Sequence, residues 1–206
     1  MLTIWGRISS INVQKVVWAA GEVGQPFERI DVGGQFGGNR EPAYLAKNPN
    51  GQVPTLEDGE VVIWESNSIV RYLAARYGAG WIWEEDPARR AEADRWMDWM
   101  LSELQPSMTP AFWGLIRKTP GYTDEAVIAA SVAKAEAKLD ILEAHLAGRA
   151  YVANERFGMG DIAVALGAHR WLHMPVRQKD WPNIRRWYAH VASRPAAAPA
   201  MPLPIT

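Results

Sequence analysis

Apolar residues come first in short, glycine-punctuated runs. Leu2-Thr3-Ile4-Trp5 alternates and stops at Gly6, which predicts a strand. From about Asn12 to Ala20, the residues Val13, Val16, Val17 and Ala20 share one helical face, and Gly21 and Gly24 end that helix. Phe27-Glu28-Arg29-Ile30 alternates again as a second strand, followed by the glycine-rich stretch Gly33 to Gly38. Glu41 to Ala46 suits a short helix. Val53-Pro54-Thr55-Leu56 and Val61-Val62-Ile63-Trp64 predict two strands, with Asp58-Gly59 as a hairpin turn between them. Ser66 reads as the N-cap of a helix whose stripe is Ile69, Val70, Leu73 and Tyr77.

Beyond Gly78 the pattern changes. Gly80 to Asp86 reads as a linker, and Asp86-Pro87 as a helix start with proline in the first turn. No strand pattern follows. The spacing predicts helices over Pro87–Leu104, Met108–Ile116, Asp124–Leu146, Met159–Leu172 and Pro182–Ser193. Phe157 and Ile162 flank the fourth of these as a hydrophobic staple, with Asp161 in its first turn. The tail from Arg194-Pro195 carries too many prolines for a helix. The expectation is two domains, an α/β unit over residues 1–79 and an all-α unit over residues 87–206.

Charge and composition narrow the class. Lysine and arginine total 22 against 23 acidic residues, so nothing marks a nucleic-acid partner or an acidic tail. The absence of cysteine excludes disulfides, thiolate metal sites and a cysteine nucleophile. No basic-then-apolar leader and no run of about 18 apolar residues stands out, so the expectation is a cytoplasmic protein with no membrane span. Eleven tryptophans are read mainly as core residues. Trp96 and Trp99 can share a helix face, and Phe112-Trp113 is the better candidate for lining an apolar pocket.

Three places carry candidate chemistry, each with a plain reading beside it. Val53-Pro54 is either an ordinary trans proline at a strand start or a cis bond that exposes the Val53 backbone to pair with a peptide ligand. Glu65-Ser66 is either a helix cap after a solvated glutamate or a site for a zwitterion, with Glu65 on the ammonium and Ser66 plus the helix N-terminus on the carboxylate. Ser10, with Asn12 beside it, is either a helix cap or a hydroxyl that stabilises an anion; on a thiol, such a donor lowers the pKa from about 8.5. His145, His169, His173 and His190 all fall in the helical half, so no Ser/His/Asp triad is evident. His169 and His173, four apart, have a spacing that can bind metal, but no glutamate-bearing motif accompanies them, and no metal is expected.

In this order the motifs resemble the cytosolic glutathione transferase family over nearly the whole chain. The resemblance rests on Asn48-Pro49-Asn50-Gly51-Gln52-Val53-Pro54-Thr55-Leu56, on Asp58-Gly59, on Glu65-Ser66-Asn67-Ser68-Ile69 and on Tyr72-Leu73. Asp161, Trp181-Pro182-Asn183-Ile184, Trp187 and Arg194-Pro195 agree with it. Gly158 departs from the serine or threonine usual at that cap, a change worth only a few tenths of a kcal/mol.

The resemblance implies a thioredoxin-like N-terminal domain that binds glutathione as co-substrate and an all-helical C-terminal domain that carries the electrophile pocket. It implies that Ser10 hydrogen-bonds the glutathione sulfur, as in serine-type theta- and delta-like members. Asn12 matches an asparagine beside the thiol in bacterial Nu-like members. Val53, preceding Pro54, is implied to pair with the cysteinyl unit, Glu65 and Ser66 to hold the γ-glutamyl end, and Asn39 and Gln52 to meet the glycyl carboxylate. The last two are neutral where a histidine or lysine is common, and Arg40 or Lys47 can compensate. Met108, Phe112 and Trp113 are expected in the electrophile pocket. The resemblance also implies a homodimer and a role in detoxification. Two alternatives remain beside transfer: glutathione-dependent disulfide or peroxide reduction, and non-catalytic binding of glutathione or an apolar ligand.

Overall fold

The computed structural model describes residues 1–206. Contacts divide the chain into two compact units, Met1–Arg90 with Pro195–Pro202, and Ala91–Arg194 with Leu203–Thr206.

The first unit has a four-stranded sheet ordered β2-β1-β3-β4, from β1 (Leu2–Trp5), β2 (Phe27–Ile30), β3 (Thr55–Asp58) and β4 (Val61–Trp64). β1 runs parallel to β2, and α1 (Ile11–Glu22) makes the crossover between them. β3 is antiparallel to β1 and to β4. Along β1, Leu2 and Ile4 face the core while Thr3 and Trp5 alternate outward. The β3–β4 hairpin closes over Gly59 and Glu60, and Gly59 has φ +63°, the left-handed backbone that its turn position demands. A short helix, α2 (Pro42–Leu45), precedes β3, and α3 (Ser66–Tyr77) follows β4. α1 and α3 pack together, and Val13, Val16 and Val17 of the one and Ile69, Val70 and Leu73 of the other are all buried. The 3-10 turn Ala198–Ala200 lies against α1, where Ala196 leaves little room above Gly21. This is a thioredoxin-like domain, as the strand and helix order predicts.

Two expectations shift here. Val53 and Pro54 precede β3 instead of opening it. Ser66 is the first residue of α3 and not its cap; Glu65 caps it, with φ +73° and ψ 110° and no side-chain cap bond.

The second unit is helical. Helix α4 (Pro87–Trp99) runs through one π-helical stretch (Met100–Leu104) into α5 (Gln105–Leu115), where the sequence predicts two separate helices. The cause is Pro106, which has no N–H for the carbonyl four residues back and whose ring crowds it; a π-turn absorbs the mismatch without ending the helix. Farther on, the Ser131 hydroxyl donates to Ser107 O at 2.6 Å and accepts from Ala111 N–H at 3.0 Å, so it stands between two groups that a regular turn would join. Ser131 belongs to α6 (Glu125–His145), and α7 (Met159–Leu172) and α8 (Pro182–Ala192) complete the unit.

Asp161 is fully buried at the start of α7. It accepts from Val152 N–H at 2.8 Å, Gly158 N–H at 3.0 Å and the Trp187 indole at 2.8 Å. Burial pushes its carboxyl up to about 7, against these three donors. Phe157 and Ile162 are both buried beside it, as a staple requires. Trp171, Trp181 and Trp187 are fully buried in this unit and Trp18 in the first. No helix is long and apolar enough to cross a membrane.

Candidate glutathione site

One face of the first unit holds a cleft of about 130 Å³. Three segments line it. Asn12 comes from the first turn of α1. Asn48, Asn50, Gln52, Val53 and Pro54 come from the stretch between α2 and β3. Glu65 and Ser66 come from the β4–α3 junction. The topology explains the convergence, because β1 and β3 are neighbours and both the α1 and α3 N-termini open at the same end of the sheet.

Each helix start offers backbone donors. The first bond within α1 runs from Gln14 N–H to Ser10 O at 3.0 Å, so the N–H groups of Ile11, Asn12 and Val13 find no carbonyl inside their own helix. In α3 the first is Ile69 N–H to Glu65 O at 2.9 Å, which leaves Ser66, Asn67 and Ser68 in the same position. Both ends therefore attract negative charge. Glu65 adds an exposed carboxylate at the rim. A non-glycine residue at φ +73° costs about 1–3 kcal/mol, and such strain concentrates at binding sites.

The stretch before β3 is built by Asn48, which is buried. Its amide donates to Gln52 O at 3.0 Å and to Thr55 Oγ1 at 3.2 Å, and its Oδ1 accepts from Asn50 N–H at 3.1 Å. Tyr44 Oη donates to the same Gln52 carbonyl at 2.5 Å. The Val53-Pro54 bond is cis. Gly51, at φ +60°, has Asn39 and Arg40 so close that a Cβ would collide with both.

The predicted site residues separate into groups. Asn12, Gln52, Val53, Pro54, Glu65 and Ser66 meet at the cleft. Ser10 caps α1 through its backbone only; its hydroxyl makes no cap bond, and it stands beside the lining without being part of it. Asn39 is not part of the lining; its amide donates to Gly51 O at 2.7 Å. Of the two candidate cations, Lys47 is bound to Glu57 and lies 5.3 Å over the Trp5 ring, whereas Arg40 is exposed and reaches Asn50 O at 3.3 Å. Although partial burial opposes it, the Lys47 ammonium and the Trp5 indole hold the Glu57 carboxyl below its usual range. Sequence reasoning did not assign Asn48 and Asn50 to the site; the turn-forming Asn-Pro-Asn-Gly run was their signal.

In the second unit, Met108 and Phe112 are core residues, each 1 % exposed, with the Arg117 and Arg170 guanidinium groups 5.0 and 4.1 Å from the Phe112 ring. Trp113 is half-buried and meets Tyr122 edge-on at 4.7 Å. His169 and His173 bond to Tyr188 Oη (2.7 Å) and the His169 carbonyl (2.8 Å), and no group of three or more metal-binding side chains occurs.

Comparison with known proteins agrees with this geometry. The family model described as glutathione S-transferase, N-terminal domain, matches residues 1–75, and that of the C-terminal domain matches residues 98–195. The chain is 41% identical over 208 residues to glutathione S-transferase GstB of Escherichia coli, with all of both chains covered. It is 33% identical over 212 residues to glutathione S-transferase 3 of Zea mays, covering 98% of this chain and 96% of that one. The crystal structure of a theta class glutathione S-transferase from Xanthomonas axonopodis pv. citri, with glutathione bound, superposes with a TM-score of 0.94 at 45% identity, over 100% of this chain and 99% of that one. The cleft, the two-unit architecture and these likenesses converge: the chain belongs to the glutathione S-transferase family.

Proposed function

We propose that the chain binds glutathione in this cleft and transfers it to a small hydrophobic electrophile. The observation that carries the reading is the meeting of Asn12, Glu65 and Ser66 at one cleft where two helix N-termini open. Glu65 and Ser66, with the start of α3, suit the ammonium and carboxylate of the γ-glutamyl end. The backbone of Val53 suits the cysteinyl unit. Gln52 and Arg40 suit the glycyl carboxylate, with Asn39 bracing the loop behind them. Ser10 and Asn12, at the start of α1, suit the sulfur.

The chemistry follows from stabilising a thiolate. Donors around the sulfur favour its anion, and the thiol proton leaves to solvent. The sulfur lone pair then attacks the electrophilic carbon; on an aryl halide the new C–S bond forms and halide departs. Holding the partners together supplies the rest of the acceleration. On the electrophile side, the half-buried Trp113 offers accessible aromatic surface, whereas Met108 and Phe112 are core residues.

A second reading, glutathione-dependent disulfide reduction, is favoured by one feature: Asn12, and not Ser10, lines the cleft. Two glutathione molecules would give up two electrons to the disulfide and leave as glutathione disulfide. Calorimetric titration with glutathione, followed by turnover with an aryl halide and with a model disulfide, tests both. Binding with faster aryl-halide turnover supports transfer, faster disulfide turnover supports reduction, and binding without turnover leaves a ligand-binding protein.

The family's usual setting suggests a cytoplasmic homodimer engaged in detoxification. Exposed Val61, Val62 and Trp64 on the edge strand β4, and an apolar groove at Trp96, Trp99 and Ile141, are surfaces that suit subunit contact. Light scattering on the purified protein measures the assembly.

A further inference from the structure

Lys15, in the second turn of α1, has 0 % of its surface exposed. A lysine is almost never buried to that degree unless something holds its charge. Its Nζ lies 3.2 Å from Asn12 Oδ1 and 3.4 Å from Asn67 Oδ1. An ammonium can only donate, so each asparagine must turn its oxygen, not its amino group, toward Lys15. Asn12 Oδ1 takes a second donor, the Ser66 hydroxyl at 3.3 Å. That oxygen is then fully used. The amide nitrogen of Asn12, on a side chain that lines the cleft, has no partner in the protein.

We propose that Lys15 is a positioning residue: by holding Asn12 through its oxygen, it fixes the amide so that the Asn12 NH2 group is presented to the cleft as a donor for the glutathione sulfur. This rests on the glutathione reading above. Without the cation the two faces of the amide are nearly equivalent, and an inverted Asn12 would present an oxygen that repels a thiolate. Asn67 ties the same ammonium to α3, so the donor from α1 and the Ser66 hydroxyl from α3 are set against each other by one buried charge.

The test is the ultraviolet absorbance of bound glutathione thiolate against pH in wild type, Lys15→Met, Asn12→Ala and the double variant, with glutathione binding followed by calorimetry. The expected result is a wild-type midpoint well below that of free glutathione and a rise of about one pH unit in Lys15→Met. The double variant should titrate like Asn12→Ala alone, because Lys15 acts through Asn12. A Lys15→Met midpoint equal to wild type, or additive effects in the double variant, overturns the proposal and leaves the glutathione reading intact. An unshifted thiol in wild type overturns both at once. If Lys15→Met does not fold, Asn12→Asp decides: it keeps an acceptor for Lys15 but loses the NH2 donor, so its midpoint should rise, and a wild-type midpoint in that variant overturns the proposal.

Discussion

Ser66 Oγ lies 3.3 Å from Asn12 Oδ1, although 54 residues separate them along the chain. One belongs to the helix after β4 and the other to the helix after β1, and the β1–β3–β4 order of the sheet brings the two helix starts together. The site is thus a property of the topology. Neither helix could assemble it alone.

Removing the Ser66 hydroxyl should therefore weaken glutathione binding. The Ser66→Ala variant loses a hydroxyl beside an anion-attracting helix start, and about a tenfold increase in Kd is expected, equivalent to about 1.4 kcal/mol. Because Lys15 still holds the Asn12 oxygen when the Ser66 hydroxyl is gone, KM should rise with kcat little changed. Calorimetric titration and steady-state kinetics measure the two. An unchanged Kd would remove Ser66 from the ligand's carboxylate.

Ser10→Ala makes the opposite kind of variant. The Ser10 hydroxyl makes no cap bond, so its loss should change stability by less than about 0.5 kcal/mol. Activity should nevertheless fall by about tenfold if the hydroxyl meets the sulfur in the complex. Urea unfolding and kcat/KM on one protein batch separate the effects. A stable variant with full activity would leave Asn12 and the helix start as the thiol's donors.

Much of this arrangement was legible in the chain. Alternation in Leu2–Trp5 and the Asp58-Gly59 turn placed the strands, and the Val53-Pro54 and Glu65-Ser66 pairs marked the cleft. The cap of α3 was not legible, because Glu65 adopts φ +73°, a backbone state that no side-chain pattern announces. The joined α4 and α5 were hidden for a related reason. Proline at 106 normally ends a helix, and only the packed structure shows the π-turn that carries the chain past it. Lys15 was invisible as a site residue, since a lysine in an amphipathic pattern is ordinarily taken for solvent-facing. Its burial depends on α3, whose approach is a tertiary fact.

Asp58 supplies a pH prediction. It is partly buried, which alone would raise its pKa, but Tyr77 Oη at 2.6 Å, Tyr72 Oη at 2.7 Å and the Arg76 guanidinium hold the carboxyl below its usual range. A lowered folded-state pKa means that the unfolded chain binds the proton more readily. The contribution is present above the unfolded carboxylate pKa, near 4, and is lost as pH falls through the lower folded value. Asp58→Asn should accordingly show its stability deficit at neutral pH and approach wild type in acid. Thermal unfolding of both proteins between neutral and acid pH measures this; parallel curves would mean that Asp58 is not coupled to folding. The same contact pushes the Tyr72 phenol up to about 12, after burial as the first cause, so Tyr72 should stay protonated through any practical assay range.

Asp161 should be the most sensitive carboxylate in the second unit. It is the acceptor for Val152 N–H, Gly158 N–H and the Trp187 indole, three donors from separate segments. Asp161→Ala leaves three polar groups without that acceptor, two of them in fully buried residues, at about 1–3 kcal/mol each. A loss of more than about 3 kcal/mol is expected, a large share of the total stability of a domain. Asp161→Asn keeps one acceptor oxygen and should lose less. Since burial sets the wild-type carboxyl at about 7, above its unfolded value, the sign is opposite to that of Asp58: its stabilising share is full in acid and is lost as pH rises toward 7. The deficit of Asp161→Asn relative to wild type should therefore shrink between about pH 4 and pH 7, by a slope of order 1 kcal/mol per pH unit in that window. Urea unfolding of the two proteins across the window measures the slope, and a deficit that stays constant there would show that the three donors outweigh burial and keep Asp161 ionised.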